Sequence, residues 1–135
     1  MERITRISKD GITYALFVHG KPATDAVRFL GDQKDDMQVG VMERPAGHQV
    51  KPHTHPPVER TLTSTCEFLS IEKGKVQVQV FDDAWNQIAD ETFSAGDFLI
   101  FYRGGHALTM LEPTRMIEVK QGPYAGDQAS KSFKL

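Results

Sequence analysis

The chain has 135 residues, of which 39 % are hydrophobic and 25 % are charged, and its formal net charge is −2. That length suits one domain with a single core, and that composition excludes overall disorder. The charge balance gives no electrostatic reason to expect a nucleic acid or a membrane surface as partner. We expect a cytoplasmic protein. No apolar run approaches the ~18 residues of a transmembrane helix, the first residues lack the apolar stretch of a signal peptide, and the single cysteine excludes an internal disulfide.

Apolar and polar residues alternate with period two along much of the chain, as in Lys75–Val80, which is typical of half-buried strands. The pattern predicts strands at residues 2–8, 12–19, 37–44, 66–72, 75–82, 87–93, 97–102, 106–111 and 115–121. The pair Asp10-Gly11 predicts a two-residue hairpin. A short helix is expected near 24–31, and the polar residues 125–135 are expected to pack loosely. Many short strands at this spacing predict one all-β domain over 1–135, a sandwich or a barrel.

Two histidines one residue apart form the most informative pattern. His53 and His55 lie in the run Lys51-Pro52-His53-Thr54-His55-Pro56. Because residues i and i+2 of an extended segment point to the same side, both imidazoles can reach one metal ion. Chance or a solvated loop is the alternative explanation for an isolated pair of this kind.

A carboxylate extends the pattern. In a strand at 66–72, Glu67 shares a face with Leu69 and Ile71, so we expect its carboxylate to point inward. A buried carboxylate requires a cation or several hydrogen-bond donors. A metal ion, an arginine or a hydrogen-bond cluster would each satisfy it.

A third histidine completes the set. His106 follows an apolar strand and the tight turn Arg103-Gly104-Gly105. One inward histidine in a core is more often structural than a ligand. Three inward histidines and a carboxylate, gathered by one barrel, favour a shared metal ion.

These residues resemble the motifs of the cupin superfamily. The first motif is a glycine, five residues, His-x-His, three or four residues, glutamate, six residues and a glycine, and it resembles residues 47–74. The second motif resembles residues 96–106 with two departures. Tyr102 stands at the usual proline position, and the final glycine-to-histidine spacing is shortened or replaced by Gly104-Gly105. The resemblance implies a single-domain antiparallel jelly-roll barrel, also called a double-stranded β-helix. It also implies a metal ion held near the barrel mouth by His53, His55, Glu67 and His106.

The spacing of the first motif leaves two glutamates as candidates for the fourth ligand. Eleven residues separate His55 from Glu67, whereas Glu59 lies at the family's usual distance. We favour Glu67, because it lies on the apolar face of its strand and precedes Gly74 by the expected six residues. Glu59 lies in a proline-rich loop. The additional residues then form an insertion at the barrel mouth.

The run Arg44–Gly47 and the ending Ile117–Tyr124 are similar to a group of small single-domain cupins associated with surface-polysaccharide or nucleotide-sugar metabolism. Imidazole and carboxylate ligands suit one divalent transition metal ion (Fe, Mn, Ni, Co, Cu or Zn), and they leave positions for substrate. We therefore expect a metal-dependent enzyme acting on a small polar molecule, such as a sugar derivative. The alternatives are a non-catalytic metal or ligand-binding module, and a metal-free sugar-nucleotide epimerase or isomerase.

Several residues near the motifs are candidates for binding substrate or for pairing with the carboxylate. Arginine suits a carboxylate or phosphate through its planar fork, and a solvated surface is the alternative for the lysine and Arg60. The candidates are Lys51, Arg60, Tyr102, Arg103 and Gln121. Cys66 is expected to be an inert packing residue, because nothing near it in the sequence would activate the thiol. Exposed edge strands, together with the family resemblance, lead us to expect a homodimer.

Overall fold

The computed structural model describes residues 1–135. It contains ten strands and one helical turn. In chain order these are β1 Arg3–Lys9, β2 Ile12–His19, β3 Val27–Phe29, β4 Gly40–Met42, β5 Glu67–Lys73, β6 Lys75–Phe81, β7 Gln87–Ser94, β8 Phe98–Phe101, β9 Gly105–Met110, β10 Arg115–Lys120 and α1 Asp127–Ser130. No helix is long and apolar enough to cross a membrane.

The strands form three antiparallel sheets. The largest has the order β1-β2-β8-β5-β10, the second has the order β7-β6-β9, and β3 pairs with β4. The predicted all-β, antiparallel class is confirmed, but the sheets do not close into a barrel. The predicted hairpin at Asp10-Gly11 is also confirmed. Both residues have positive φ, which gives the turn the twist that the flanking strands require.

The main core lies between the five-stranded and the three-stranded sheets. Val76, Val78 and Val80 of β6 are fully buried, and they pack in one cluster with Leu69 and Phe101 of the larger sheet. The glutamines that alternate with the valines lie on the outer face, where Gln77 and Gln79 make hydrogen bonds to residues of β7. The period-two pattern therefore specifies which face of β6 is buried.

The opposite face of the five-stranded sheet carries a second, smaller core. Leu16, Ile100 and Cys66 are buried there with Leu30, beneath the chain that includes β3 and β4. Because both faces of β2 are covered, the run Tyr14–Val18 is buried without alternation. The sheet thus separates two differently lined regions, and this division determines where the candidate site residues lie.

The predicted helix near 24–31 is wrong. Residues Val27–Phe29 form β3, which pairs with β4. The hydroxyl of Thr24 accepts a hydrogen bond from the amide of Ala26, two residues later, so it closes a local turn instead of capping a helix. The β-branched and aromatic residues that follow suit a strand.

A long segment between β4 and β5 forms no strand. It spans residues 43–66, and it is exposed except at its end, around Ser64 and Cys66. The strand predicted at 37–44 is reduced to Gly40–Met42. The segment carries the sequence's His-x-His pair, so the structure separates that pair from the packed sheets.

Candidate functional site

Glu67 is the first residue of β5 and lies where three strands of the large sheet end. It is opposite Phe101 of β8 on one side and Lys120 of β10 on the other. Its side chain is mostly buried, on the face where Leu69 and Ile71 join the main core. The sequence-based prediction of an inward-facing carboxylate at the start of this strand therefore agrees with the structure.

His106 supplies the partner of this carboxylate. Its Nε2 atom lies 3.3 Å from Oε2 of Glu67, and its ring stacks on Phe101 with centroids 3.9 Å apart and planes 2° apart. The His106 imidazole lowers the pKa of Glu67 below its ordinary value against the opposing effect of burial, and Lys120 and Lys131 lower it further. The carboxylate is thus held ionised beside an imidazole whose orientation the stacked ring fixes.

Aromatic residues around His106 were not singled out by the sequence. Phe101 was assigned only to an apolar strand, although it stacks on the imidazole. Trp85, in the β6–β7 turn, covers Gly105 so closely that an added Cβ there would lie 2.4 Å from the indole. No sequence signal marks these contacts, because they follow from strand register. Phe81 pairs with Gly105, and Val80 pairs with His106, which brings the tip of the β6–β7 hairpin to the start of β9.

His53 and His55 lie together, in the exposed segment 43–66. Their ring centroids are 5.3 Å apart. Nδ1 of His53 lies 2.7 Å from the carbonyl oxygen of Lys51. Because a carbonyl only accepts, Nδ1 carries a proton, and in the neutral tautomer this leaves the lone pair on Nε2. Histidines that bind metals commonly share this arrangement.

The four predicted ligands form two pairs rather than one group. Glu67 contacts His106, and His53 neighbours His55, but no three histidine, cysteine, aspartate or glutamate side chains are placed to hold one metal ion together. The donor chemistry suits a transition metal, whereas the arrangement does not form a single coordination sphere. Glu59, the alternative fourth ligand, is exposed in the segment that carries the two histidines.

The predicted substrate-binding residues are dispersed. Lys51 and Arg60 are exposed in the 43–66 segment. Arg103 pairs with Asp83 at 2.6 Å. Tyr102 is buried in the smaller core, on the other face of the sheet from Glu67. The side-chain oxygen of Gln121 accepts a hydrogen bond from the amide of Cys66 at 2.6 Å, so it anchors the chain just before β5.

No protein-family model matches the chain, and neither the curated proteins nor the solved structures gave a significant match. The cupin resemblance therefore rests on the spacing of the motif residues in the sequence.

Proposed function

We propose that the chain is a cupin-type protein that holds one divalent transition metal ion and acts on a small polar molecule, such as a sugar derivative. The observation that carries the proposal is the contact between Glu67 and His106. These two residues are distant in sequence and belong to different sheets, yet their side chains meet on the core face of the large sheet. Such a pair of donors at a sheet end is half of the ligand set that the motifs predict.

The other half of the ligand set requires the segment 43–66 to approach this pair. The segment ends directly at Glu67 and is almost entirely exposed, so few contacts oppose its movement. Unstructured connections of this length are uncommon in compact domains and are usually functional or disordered. Metal binding commonly orders the chain that supplies the ligands. In this proposal His53 and His55 join Glu67 and His106 when the ion binds, and the ion supplies Lewis acidity toward a substrate oxygen.

A second candidate function is favoured by the pair itself. A histidine held by a carboxylate and fixed by a stacked ring is a group that transfers protons. Glu67, Phe101 and His106 form this arrangement without any contribution from His53. This geometry suits a metal-free epimerase or isomerase, in which His106 exchanges a proton with the substrate.

Metal content distinguishes the two candidates. The full chain is reconstituted in turn with Fe(II), Mn(II), Co(II), Ni(II) and Zn(II), and the retained metal is measured by elemental analysis. We expect about one equivalent of at least one metal. We also expect its loss in His53→Ala, His55→Ala, Glu67→Gln and His106→Ala. His48→Ala is the matched control, because His48 is an exposed histidine of the same segment that is not one of the four predicted ligands.

Proteolysis provides a readout that is independent of activity. Trypsin should cut the segment of the metal-free chain at Arg60, since Arg44 and Lys51 each precede a proline and resist the protease. The retained metal should slow this cleavage in the parent chain but not in His53→Ala. A chain that retains no metal after reconstitution would overturn the metal proposal and leave the proton-transfer candidate. Metal retained equally by Glu67→Gln and His106→Ala would overturn the proposed ligand set.

The homodimer is also a proposal. β10 is an edge strand of the five-stranded sheet, and Ile117 and Val119 on it are exposed. A second copy that covers this edge would bury both side chains. Light scattering should give twice the mass of one chain. A single-chain mass for the parent, at concentrations where other dimers persist, would contradict the proposal.

A further inference from the structure

A polar cavity lies at the five-stranded sheet on the side away from Glu67. It has a volume of about 310 Å³, and its lining includes Arg6, Asp35, Ser64 and Tyr102. Arg6 pairs across the strands with Leu16 of the smaller core, whereas Glu67 pairs with Phe101 of the main core. The two sites therefore belong to opposite faces of one sheet. The volume lies at the lower end of the ~300–1,000 Å³ range of small-molecule sites.

The guanidinium of Arg6 donates a hydrogen bond from each of its three nitrogens. Its Nε donates to the hydroxyl of Thr13 at 2.9 Å, and its two Nη atoms donate to the carboxylate of Asp35 at 3.0 and 2.5 Å. The carboxylate also accepts a hydrogen bond from the amide of Asp32 at 2.9 Å. This network fixes the turn at 32–35 over the sheet, and its arginine is not free to bind an anion.

The hydroxyl of Tyr102 is the unexplained group in this cavity. The residue is only 7 % exposed, and its hydroxyl lacks a hydrogen-bond partner in the protein, although the Asp35 carboxylate is near enough to act on its pKa. Burial, and then the Asp35 carboxylate, raise the pKa of Tyr102, so the hydroxyl remains a proton donor. Buried polar groups are nearly always paired, and an unpaired one requires an explanation.

Gly31 brings the backbone close to this hydroxyl and to the Asp35 carboxylate. Gly31 has a φ of +120°, and a Cβ added to it would lie 3.3 Å from the Tyr102 hydroxyl and 2.7 Å from Oδ2 of Asp35. A Cβ would collide with the Asp35 carboxylate, so glycine is what lets the chain pass this close to one donor and one acceptor. A ligand hydroxyl that reaches this pair from the cavity would accept from Tyr102 and donate to Asp35.

The charges around the cavity favour a neutral ligand. Asp35 is neutralised by Arg6, and Arg103 is neutralised by Asp83. Lys34 and Asp36 add one charge of each sign to the lining, and neither forms an ion pair. Thr63 and Ser64 contribute hydroxyls, which both donate and accept. The lining therefore offers donors and acceptors without a net charge.

We propose that this cavity binds a small neutral molecule with several hydroxyl groups, such as a polyol or a monosaccharide, and that Tyr102 donates a hydrogen bond to it. The site does not depend on the metal ion, because Arg6, Asp35 and Tyr102 lie on the other face of the sheet. It also reassigns Tyr102, which the sequence placed beside His106, to a separate binding site.

Titration of the full chain followed by amide chemical shifts tests this proposal. The probes are myo-inositol and D-glucose, with acetate and inorganic phosphate as charged comparators. We expect saturable shifts at Arg6, Gly31, Asp35 and Tyr102 with at least one neutral probe. Tyr102→Phe should weaken that binding about tenfold or more, because a site built to pair a hydroxyl loses a partner. This variant removes an unpaired hydroxyl, so it should fold normally.

The control variants define what would overturn the proposal. Tyr124→Phe removes an exposed hydroxyl outside the cavity and should leave binding unchanged. Glu67→Gln combined with His106→Ala should also leave it unchanged, and loss of binding there would show that the two sites are one. Absence of saturable shifts with both neutral probes, tighter binding of acetate or phosphate, or equal affinity in Tyr102→Phe would each overturn the proposal.

Discussion

The two parts of the candidate metal centre differ in how the fold holds them. Glu67 and His106 belong to strands whose neighbours are packed in the main core, and their side chains are already in contact. His53 and His55 lie in a segment without strands, and both are exposed. The comparison indicates that the sheets place one pair, whereas no strand places the other pair. Stability and ligand binding should therefore respond to different substitutions.

The largest expected effect concerns stability. Phe93 is fully buried and packs edge-to-face on Phe17 with centroids 4.9 Å apart. Phe93→Ala should lower the free energy of unfolding by about 3–5 kcal/mol, because it creates a cavity in the main core. The matched truncation in the segment is Val58→Ala, at a side chain that is 59 % exposed. It should change stability by less than about 0.5 kcal/mol.

Urea unfolding measures both variants. A large loss of stability in Val58→Ala would show that the segment packs on the sheets, and it would break the proposed division between the two regions. A small loss in Phe93→Ala would contradict the core described here.

The turn between β6 and β7 is a second irregular region, and it differs from the segment 43–66 because hydrogen bonds to one carboxylate hold it in place. Asp82 accepts hydrogen bonds from the amides of Ala84 and Asn86 at 2.9 Å, and Lys9 binds it at 2.6 Å. Lys9 first, and then the bonds from Asn86 and Ala84, hold the pKa of Asp82 well below its ordinary value of 3.8. No comparable network of hydrogen bonds ties the segment 43–66 to itself.

The depressed pKa gives a signed pH prediction. Asp82 contributes stability that is complete above its ordinary pKa and is lost as pH falls toward its lower folded value. Asp82→Asn should therefore be less stable than the parent at neutral pH, and the difference should shrink under acid. Urea midpoints across pH measure this difference. Asp25→Asn, at an exposed aspartate without an ion pair, is the control. A difference that grows under acid, or one matched by Asp25→Asn, would contradict the assignment.

Local patterns predicted most of the fold. Alternation of apolar and polar residues located the strands around Val76–Val80 and Glu67–Ile71. One face of each strand is buried, so every second residue is apolar. The prediction was wrong at 24–31, where pairing with β4 decides the structure and a single sequence does not record that pairing. Strand pairing also decided that the sheets form separate layers.

The site was predicted in part. The inward face of Glu67 followed from its apolar neighbours, and its contact with His106 depends on two strands in different sheets meeting. The motif spacing indicated a set of four ligands. The number of residues between motifs carries no information on whether the exposed segment 43–66 packs against the sheets. Tyr102 illustrates the same limit. The sequence placed it near His106, whereas strand alternation puts it on the opposite face from Phe101.

The smallest expected effect tests where the fixed region begins. Cys66 is fully buried directly before Glu67, and its Sγ lies 3.7 Å from the carbonyl oxygen of Tyr102. Burial also raises the pKa of the thiol. A thiol reagent should therefore modify the native chain far more slowly than the urea-unfolded chain, and Cys66→Ala should lower stability by about 1 kcal/mol. If the native thiol reacts as fast as the unfolded one, the start of β5 opens readily. Glu67 would then lie, like His53 and His55, in a part of the chain that the sheets do not fix, because the strand that positions its carboxylate would begin further along the chain.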